Sequence, residues 1–192
     1  MKGFVVWLTG LSGSGKTTIG RSLQAQLQEM GLAVELLDGD EVRRQLSPDL
    51  GFTKNDRETH ARRVVYLSRL LAKNRIITIV SLIAPYRAFR EYARKEILDY
   101  VEIYVKTPLE TCIKRDPKGL YKKALKGEIT DMTGIQDPYE EPINPELVIE
   151  TERLTVEESA EHILYKLKQL GYIAELNFTT SQPGVGSDNN RR

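Results

Sequence analysis

Gly10-Leu11-Ser12-Gly13-Ser14-Gly15-Lys16-Thr17 fills the pattern G-x-x-x-x-G-K-T at every position. Its surroundings matter as much as its letters. Phe4 to Leu8, just before it, is continuously apolar and rich in β-branched and aromatic residues, which predicts a short strand buried on both faces. After it, Ile19, Leu23, Leu27 and Met30 recur at near-helical spacing, and Gly31 supplies a stop. A strand, a glycine loop and a helix in that order bring backbone N–H groups and the positive helix end together on phosphate oxygens.

The alternation continues outward. Val34 to Leu37 predicts a second strand ending at Asp38-Gly39-Asp40, and Asp56 is a candidate cap for a helix through Ala61, Val64, Val65 and Leu71 to Lys73. Ile76 to Val80 predicts a third strand. A charged amphipathic segment then carries Arg87, Arg90 and Arg94, Val101 to Val105 forms a fourth strand, and Pro108 suits the first turn of a helix containing Cys112. Leu147 to Ile149 completes the strands, and Thr155 with Glu158 forms a capping box before a final helix that Gly171 ends. With no Asn-Gly hairpin turns between strands, the expected fold is a three-layer α/β/α P-loop nucleoside-triphosphate-binding domain around a mostly parallel five-stranded sheet. Residues 1–176 are expected to form this domain. The charge-, Gly- and Pro-rich stretch near 115–142 is expected to be a mobile lid, and the polar residues 177–192 a disordered tail.

Composition bounds the partners. At 192 residues and 40% hydrophobic content, one substantial core is expected. Lys and Arg number 28 against 27 Asp and Glu, a net charge of +1, so no global field points to nucleic acid or an anionic membrane. Cys112 is the single cysteine, which excludes an intrachain disulfide framework and suits a reducing compartment. No apolar run approaches the roughly 20 residues needed to span a bilayer, and no signal peptide is evident, so a soluble cytoplasmic protein is expected.

ATP is the expected cosubstrate and Mg²⁺ the expected cofactor. The backbone of Gly10, Ser12, Gly13, Ser14 and Gly15 is assigned to the phosphates together with Thr18, Lys16 to the β and γ charges, and Thr17 to the metal. Asp38 and Asp40 fall at the carboxyl edge of the second strand, where parallel sheets gather ligands. Asp40 is expected to order the metal shell, directly or through water, or to accept the proton of an attacking hydroxyl. Asp38 is expected to orient the loop or a metal-bound water. Arg43, Arg57 and Arg87 are candidate anion contacts, with His60 at i+3 from Arg57; Phe52 offers a flat face to a nucleobase, and Arg115 or the later lid can cover ATP.

Taken with Asp49-Leu50-Gly51-Phe52, Ala84-Pro85-Tyr86-Arg87, Arg115-Asp116-Pro117-Lys118-Gly119-Leu120-Tyr121-Lys122-Lys123, Thr133-Gly134-Ile135 and Pro138-Tyr139-Glu140, the chain resembles adenylylsulfate kinases over roughly residues 3 to 176. The resemblance implies a homodimer that transfers phosphate from Mg·ATP to the 3′-hydroxyl of adenosine 5′-phosphosulfate (APS), giving 3′-phosphoadenosine 5′-phosphosulfate and ADP. It assigns sulfonucleotide binding to Arg43, Phe52, Arg57, His60 and Arg87, places Ile83 and Lys118 near the same ligand, and makes a separate sulfate adenylyltransferase the supplier of the acceptor. Three positions depart from the family pattern. His60 stands where Asn is common, Met132 where an aromatic residue often sandwiches the adenine, and Ala84 where a Ser is common. Without that hydroxyl, direct transfer is favoured over a phosphoenzyme. A kinase of another small hydroxyl compound and a nucleotide-dependent regulatory module remain the alternatives, distinguished by whether an acceptor stimulates ADP release.

Overall fold

The computed structural model describes residues 2–174. Five strands, β1 (Val5–Thr9), β2 (Val34–Asp38), β3 (Ile77–Ser81), β4 (Tyr100–Lys106) and β5 (Leu147–Glu150), form one sheet in the order β2-β3-β1-β4-β5, and every pairing in it is parallel. The expected sheet is therefore present and wholly parallel. β1 lies at its centre, and all of its residues are buried. Alternation sends Val6 and Leu8 to one face, against Ile19, Leu23 and Leu27 of α1 (Lys16–Glu29) and Ile163 and Leu167 of α7 (Val156–Gln169). Val5 and Trp7 point to the other, against Val64 and Val65 of α3 (Lys54–Lys73) and Ala93 of α4 (Arg87–Glu96). This double coverage is why the strand reads as an unbroken apolar run, and each such aliphatic side chain buried contributes about 1.5–3 kcal/mol.

Several boundaries differ from the sequence expectation. Thr53, not Asp56, caps α3: its hydroxyl accepts from the Asp56 amide at 3.2 Å, while the Asp56 carboxylate closes the capping box. A short helix absent from the expectation, α2 (Gly39–Leu46), follows β2 directly, with Asp38 as its cap, acidic residues in its first turn and Arg43 and Arg44 in its last. Pro108 is the cap of α5 (Leu109–Arg115) rather than part of its first turn. The stretch near 115–142 is not uniformly loose. α6 (Leu120–Leu125) and the residues after it place Tyr121, Ala124 and Met132 in a small third core with Cys112, which is fully buried. Gly171 follows α7 with φ 75°, as expected of a helix stop. The tail expected over residues 177–192 lies outside the described residues.

Candidate functional site

The glycine loop joins the carboxyl end of β1 to α1, and its conformation demands glycine. Gly10, Gly13 and Gly15 have φ of 152°, 76° and 100°, and a Cβ on Gly10 would lie 2.4 Å from the Val105 carbonyl oxygen. Gly15 caps α1 without a side-chain hydrogen bond, so the first amides of that helix face the cleft as anion donors. Lys16 folds back over the loop, donating from Nζ to the carbonyls of Gly10 at 2.9 Å and Leu11 at 2.7 Å. Burial lowers its ammonium pKa to about 8.

Thr17 donates its hydroxyl proton to Asp38 Oδ2 at 2.7 Å and lies 3.0 Å from Ser81 Oγ. The other Asp38 oxygen accepts from the amides of Asp40 at 3.0 Å and Glu41 at 3.2 Å, capping α2. Burial works to raise the Asp38 carboxyl, but the hydrogen bonds from Thr17 and the two amides outweigh it and hold the group below its ordinary value. Asp38, rather than Asp40, is thus the carboxylate in contact with Thr17. A hydroxyl and a carboxylate, hard oxygens beside a phosphate cradle, fit Mg²⁺. Among the described residues no cluster of three or more His, Cys, Asp or Glu side chains forms a metal cage. A magnesium ion held largely by phosphate oxygens and water requires none.

Gly39 separates the two aspartates for a steric reason: a Cβ there would meet Leu82 Cδ1 at 2.8 Å and the Ser81 carbonyl oxygen at 2.9 Å. This close approach of α2 to the end of β3 leaves the Asp40 carboxylate exposed in the cleft, where it ion-pairs with Lys118 from the stretch after α5.

A cleft of about 1120 Å³ runs along the carboxyl edge of the sheet. It brings together nearly every predicted residue: Ser12 through Thr18, Asp38, Asp40, Arg43, Phe52, Arg57, His60, Ile83, Arg115, Lys118 and Met132 all line it. Phe52 is 56% exposed, with the Arg43 and Arg57 guanidinium carbons 4.7 and 5.6 Å from its ring centroid. Backbone contacts fix both arginines: Arg43 donates to the Gly51 carbonyl at 2.7 Å, and Arg57 to those of Phe52, at 2.7 Å, and Asp131. The result is a cationic, aromatic platform.

Three predicted side chains behave differently from the expectation. Arg87 does not line the cleft. Its Nε donates to the Glu141 carbonyl at 2.9 Å, and its amide donates to Glu140 Oε2 at 2.7 Å. His60 is 2% exposed, with Nδ1 3.0 Å from Ser47 Oγ and Nε2 without a hydrogen-bond partner. Burial, then the nearby Arg43 charge, lowers its pKa to about 4, so it is a neutral ring at physiological pH and no cation for an anionic ligand. Met132 is mostly packed into the small core, which leaves little of its side chain to the cleft.

Sequence reading missed one wall. The turn between β5 and α7 contributes Thr151 and Leu154, the first residue of α7 adds Val156, and Arg115 reaches across to donate to Thr151 Oγ1 at 3.2 Å and its carbonyl at 3.3 Å. The signal was positional: a capping box at Thr155 directly after a strand puts that turn on the ligand edge of a parallel sheet.

The family model for adenylylsulphate kinase matches residues 2–150. An adenylyl-sulfate kinase of Halothermothrix orenii is 53% identical over 172 residues, covering 90% of this chain and 93% of that protein. The structure of a Mycobacterium tuberculosis APS kinase in complex with AMPPNP and APS superposes with a TM-score of 0.84 at 41% identity, over 87% of this chain and 98% of that one. A gluconokinase from Sinorhizobium meliloti shares the fold at a TM-score of 0.58 and 17% identity, over 88% of this chain and 94% of its own.

Proposed function

This chain belongs to the adenylylsulphate kinase family, and from that premise we propose how its cleft carries out the family's reaction. The reaction is ATP-dependent phosphorylation of APS to 3′-phosphoadenosine 5′-phosphosulfate, with ADP as the second product. The observation that carries the reading is the continuity of one cleft from the phosphate loop to the Phe52, Arg43 and Arg57 platform. A related enzyme accommodates AMPPNP and APS together, which supports a ternary arrangement in this cleft.

ATP docks its phosphates on the α1 amides, and Lys16 swings from the loop carbonyls to the transferring phosphate. Thr17 and Asp38 would hold Mg²⁺, which when bound would neutralise phosphate charge. Asp40 takes the proton of the attacking 3′-hydroxyl, and transfer is direct and in line, since Ala84 offers no hydroxyl to form a phosphoenzyme. Before it can act, the Asp40 carboxylate must exchange Lys118 for the acceptor, which couples acceptor arrival to movement of the lid near 115–142. Residues 1–176 constitute the kinase domain. Chromatographic identification of the product from Mg·ATP and APS tests this reading: a phosphorylated product is expected, and ADP release that APS does not stimulate overturns it. Sugar kinases share the architecture, but at 17% identity the likeness extends to the fold alone.

Phe52 stacks on the acceptor adenine. Base–aromatic stacking contributes roughly 1–3 kcal/mol, so Phe52→Ala is expected to weaken APS binding about ten- to a hundredfold while leaving ATP binding near wild type. Calorimetry with a nonreactive ATP analogue checks this, and impaired ATP affinity with unchanged APS affinity refutes it. Met132 supplies a smaller contact than its place in the family pattern implied, because most of its side chain is packed against Tyr121 and its neighbours.

The working form is a homodimer in the reducing cytoplasm, fed by a separate sulfate adenylyltransferase. Light scattering across a concentration series is expected to report twice the chain mass of 21.8 kDa. A monomer persisting well above assay concentrations would count against it. Among the described residues no helix is long and apolar enough to cross a membrane.

A further inference from the structure

Arg90 belongs to α4 yet is only 2% exposed, and none of the steps above uses it. Its Nε lies 3.0 Å from Glu102 Oε1 of β4, with the geometry of an ion pair rather than an aligned hydrogen bond. One terminal nitrogen donates to the Ala84 carbonyl, and the other donates to the Glu140 carbonyl. The guanidinium is 5.7 Å from the centroid of the Tyr139 ring. A planar fork of five donors can hold two carbonyls and a carboxylate at once, which an ammonium cannot do with the same geometry.

The first carbonyl belongs to a segment that lines the cleft, and the second to a segment packed against it. Ala84 lines the cleft with φ 43°, a left-handed conformation that a residue with a Cβ keeps only when its surroundings over-determine it. The segment around Glu140 lies along residues 84–87: the Glu140 amide donates to the Pro85 carbonyl at 2.8 Å, and its side chain receives the Arg87 amide. Next to it, Tyr139 reaches Thr9 at the end of β1. The Thr9 hydroxyl spends its one proton on the Ile83 carbonyl at 2.6 Å, so Tyr139 is the donor in the 2.9 Å contact. Arg90 therefore stands where the 83–85 wall, the 138–141 segment and the sheet meet. Glu102 is itself held by Arg94 at 3.2 Å, and Glu146 secures both Arg94 and the Glu102 amide at 2.6 Å.

We propose that Arg90 is a positioning residue for the acceptor: anchored on Glu102, its guanidinium fixes the Ala84 and Glu140 carbonyls and so sets the Ile83-Ala84-Pro85 wall against which APS docks. The inference rests on reading that wall as part of the acceptor site. It separates Arg90 from a residue that merely neutralises Glu102, because Arg90→Lys keeps the charge and loses the bridge.

The test is steady-state kinetics of Arg90→Lys, with KM for APS and for ATP measured separately. A misplacement at a distance from the chemistry costs up to about a hundredfold, so KM for APS is expected to rise about ten- to a hundredfold while KM for ATP stays within about twofold. Glu102→Gln, which loosens the anchor, is expected to move KM for APS in the same direction, and it serves as the reading variant if Arg90→Lys does not fold. Adding Ala84→Gly to either variant is expected to recover part of the loss, because glycine holds a positive φ without support. An unchanged KM for APS, or equal rises for both substrates, overturns the inference while the kinase reading stands. A wild-type enzyme indifferent to APS overturns both.

Discussion

Lys16→Ala is expected to lower acceptor-dependent kcat by about 10²–10³-fold, the usual consequence of removing one preorganised donor from a developing negative charge. The fold should survive, because Lys16 bonds only to its own loop, through the Gly10 and Leu11 carbonyls and Ser14 Oγ. Removing a buried ammonium also relieves the desolvation that lowers its pKa to about 8. That value adds a second expectation. Phosphate contact favours the charged form and raises the pKa, so ATP binding above pH 8 must take up a proton, and ATP affinity should fall as pH rises through 8. Calorimetry in buffers of different ionisation enthalpy reads the uptake directly. Lys16→Ala should abolish it. A folded variant with wild-type kcat would reject the role of Lys16, and pH-independent proton uptake common to both proteins would reject the titration.

Asp40→Asn is expected to reduce kcat by about 10²–10⁴-fold at saturating Mg²⁺, the range for loss of a general base, with little change in KM for ATP. Size is preserved and the proton-accepting oxygen is lost. Asp38→Asn is expected to act differently. Asparagine still caps α2, but the carboxylate partner of Thr17 disappears, so the Mg²⁺ concentration for half-maximal rate should rise. A magnesium titration of both variants distinguishes the two aspartates. Normal turnover in Asp40→Asn removes Asp40 from the chemistry, and an unchanged magnesium requirement in Asp38→Asn removes Asp38 from the metal shell.

The division of labour between these carboxylates was not readable from Asp38-Gly39-Asp40 as a string, because both sit at a strand end with the same chemistry. It became readable only once Asp38 was seen capping α2 and touching Thr17, with Asp40 left facing Lys118. The short α2 escaped the sequence pattern for a related reason: in eight residues its one buried side chain is Val42, too few positions for a helical period to stand out. His60 and Arg87 show the same limit. Their residue types promised anion contacts, but burial neutralises the first and the Glu141 carbonyl engages the guanidinium of the second.

By itself the sequence determined the phosphate loop and the parallel α/β fold through local signals, namely glycines at the G-x-x-x-x-G-K-T spacing, an apolar run for a strand covered on both sides, and helical periods between strands; the reaction class came from the resemblance its longer motifs carry. Tertiary structure alone decided which carboxylate meets Thr17, that Arg115 joins the β5–α7 turn, and that Arg90 ties the 83–85 wall to the 138–141 segment. Those contacts join residues 21 to 50 positions apart, with the Arg90–Ala84 pair the exception at 6. Their partners are chosen by how the sheet orders its strands and by which polar groups burial leaves in need of one another.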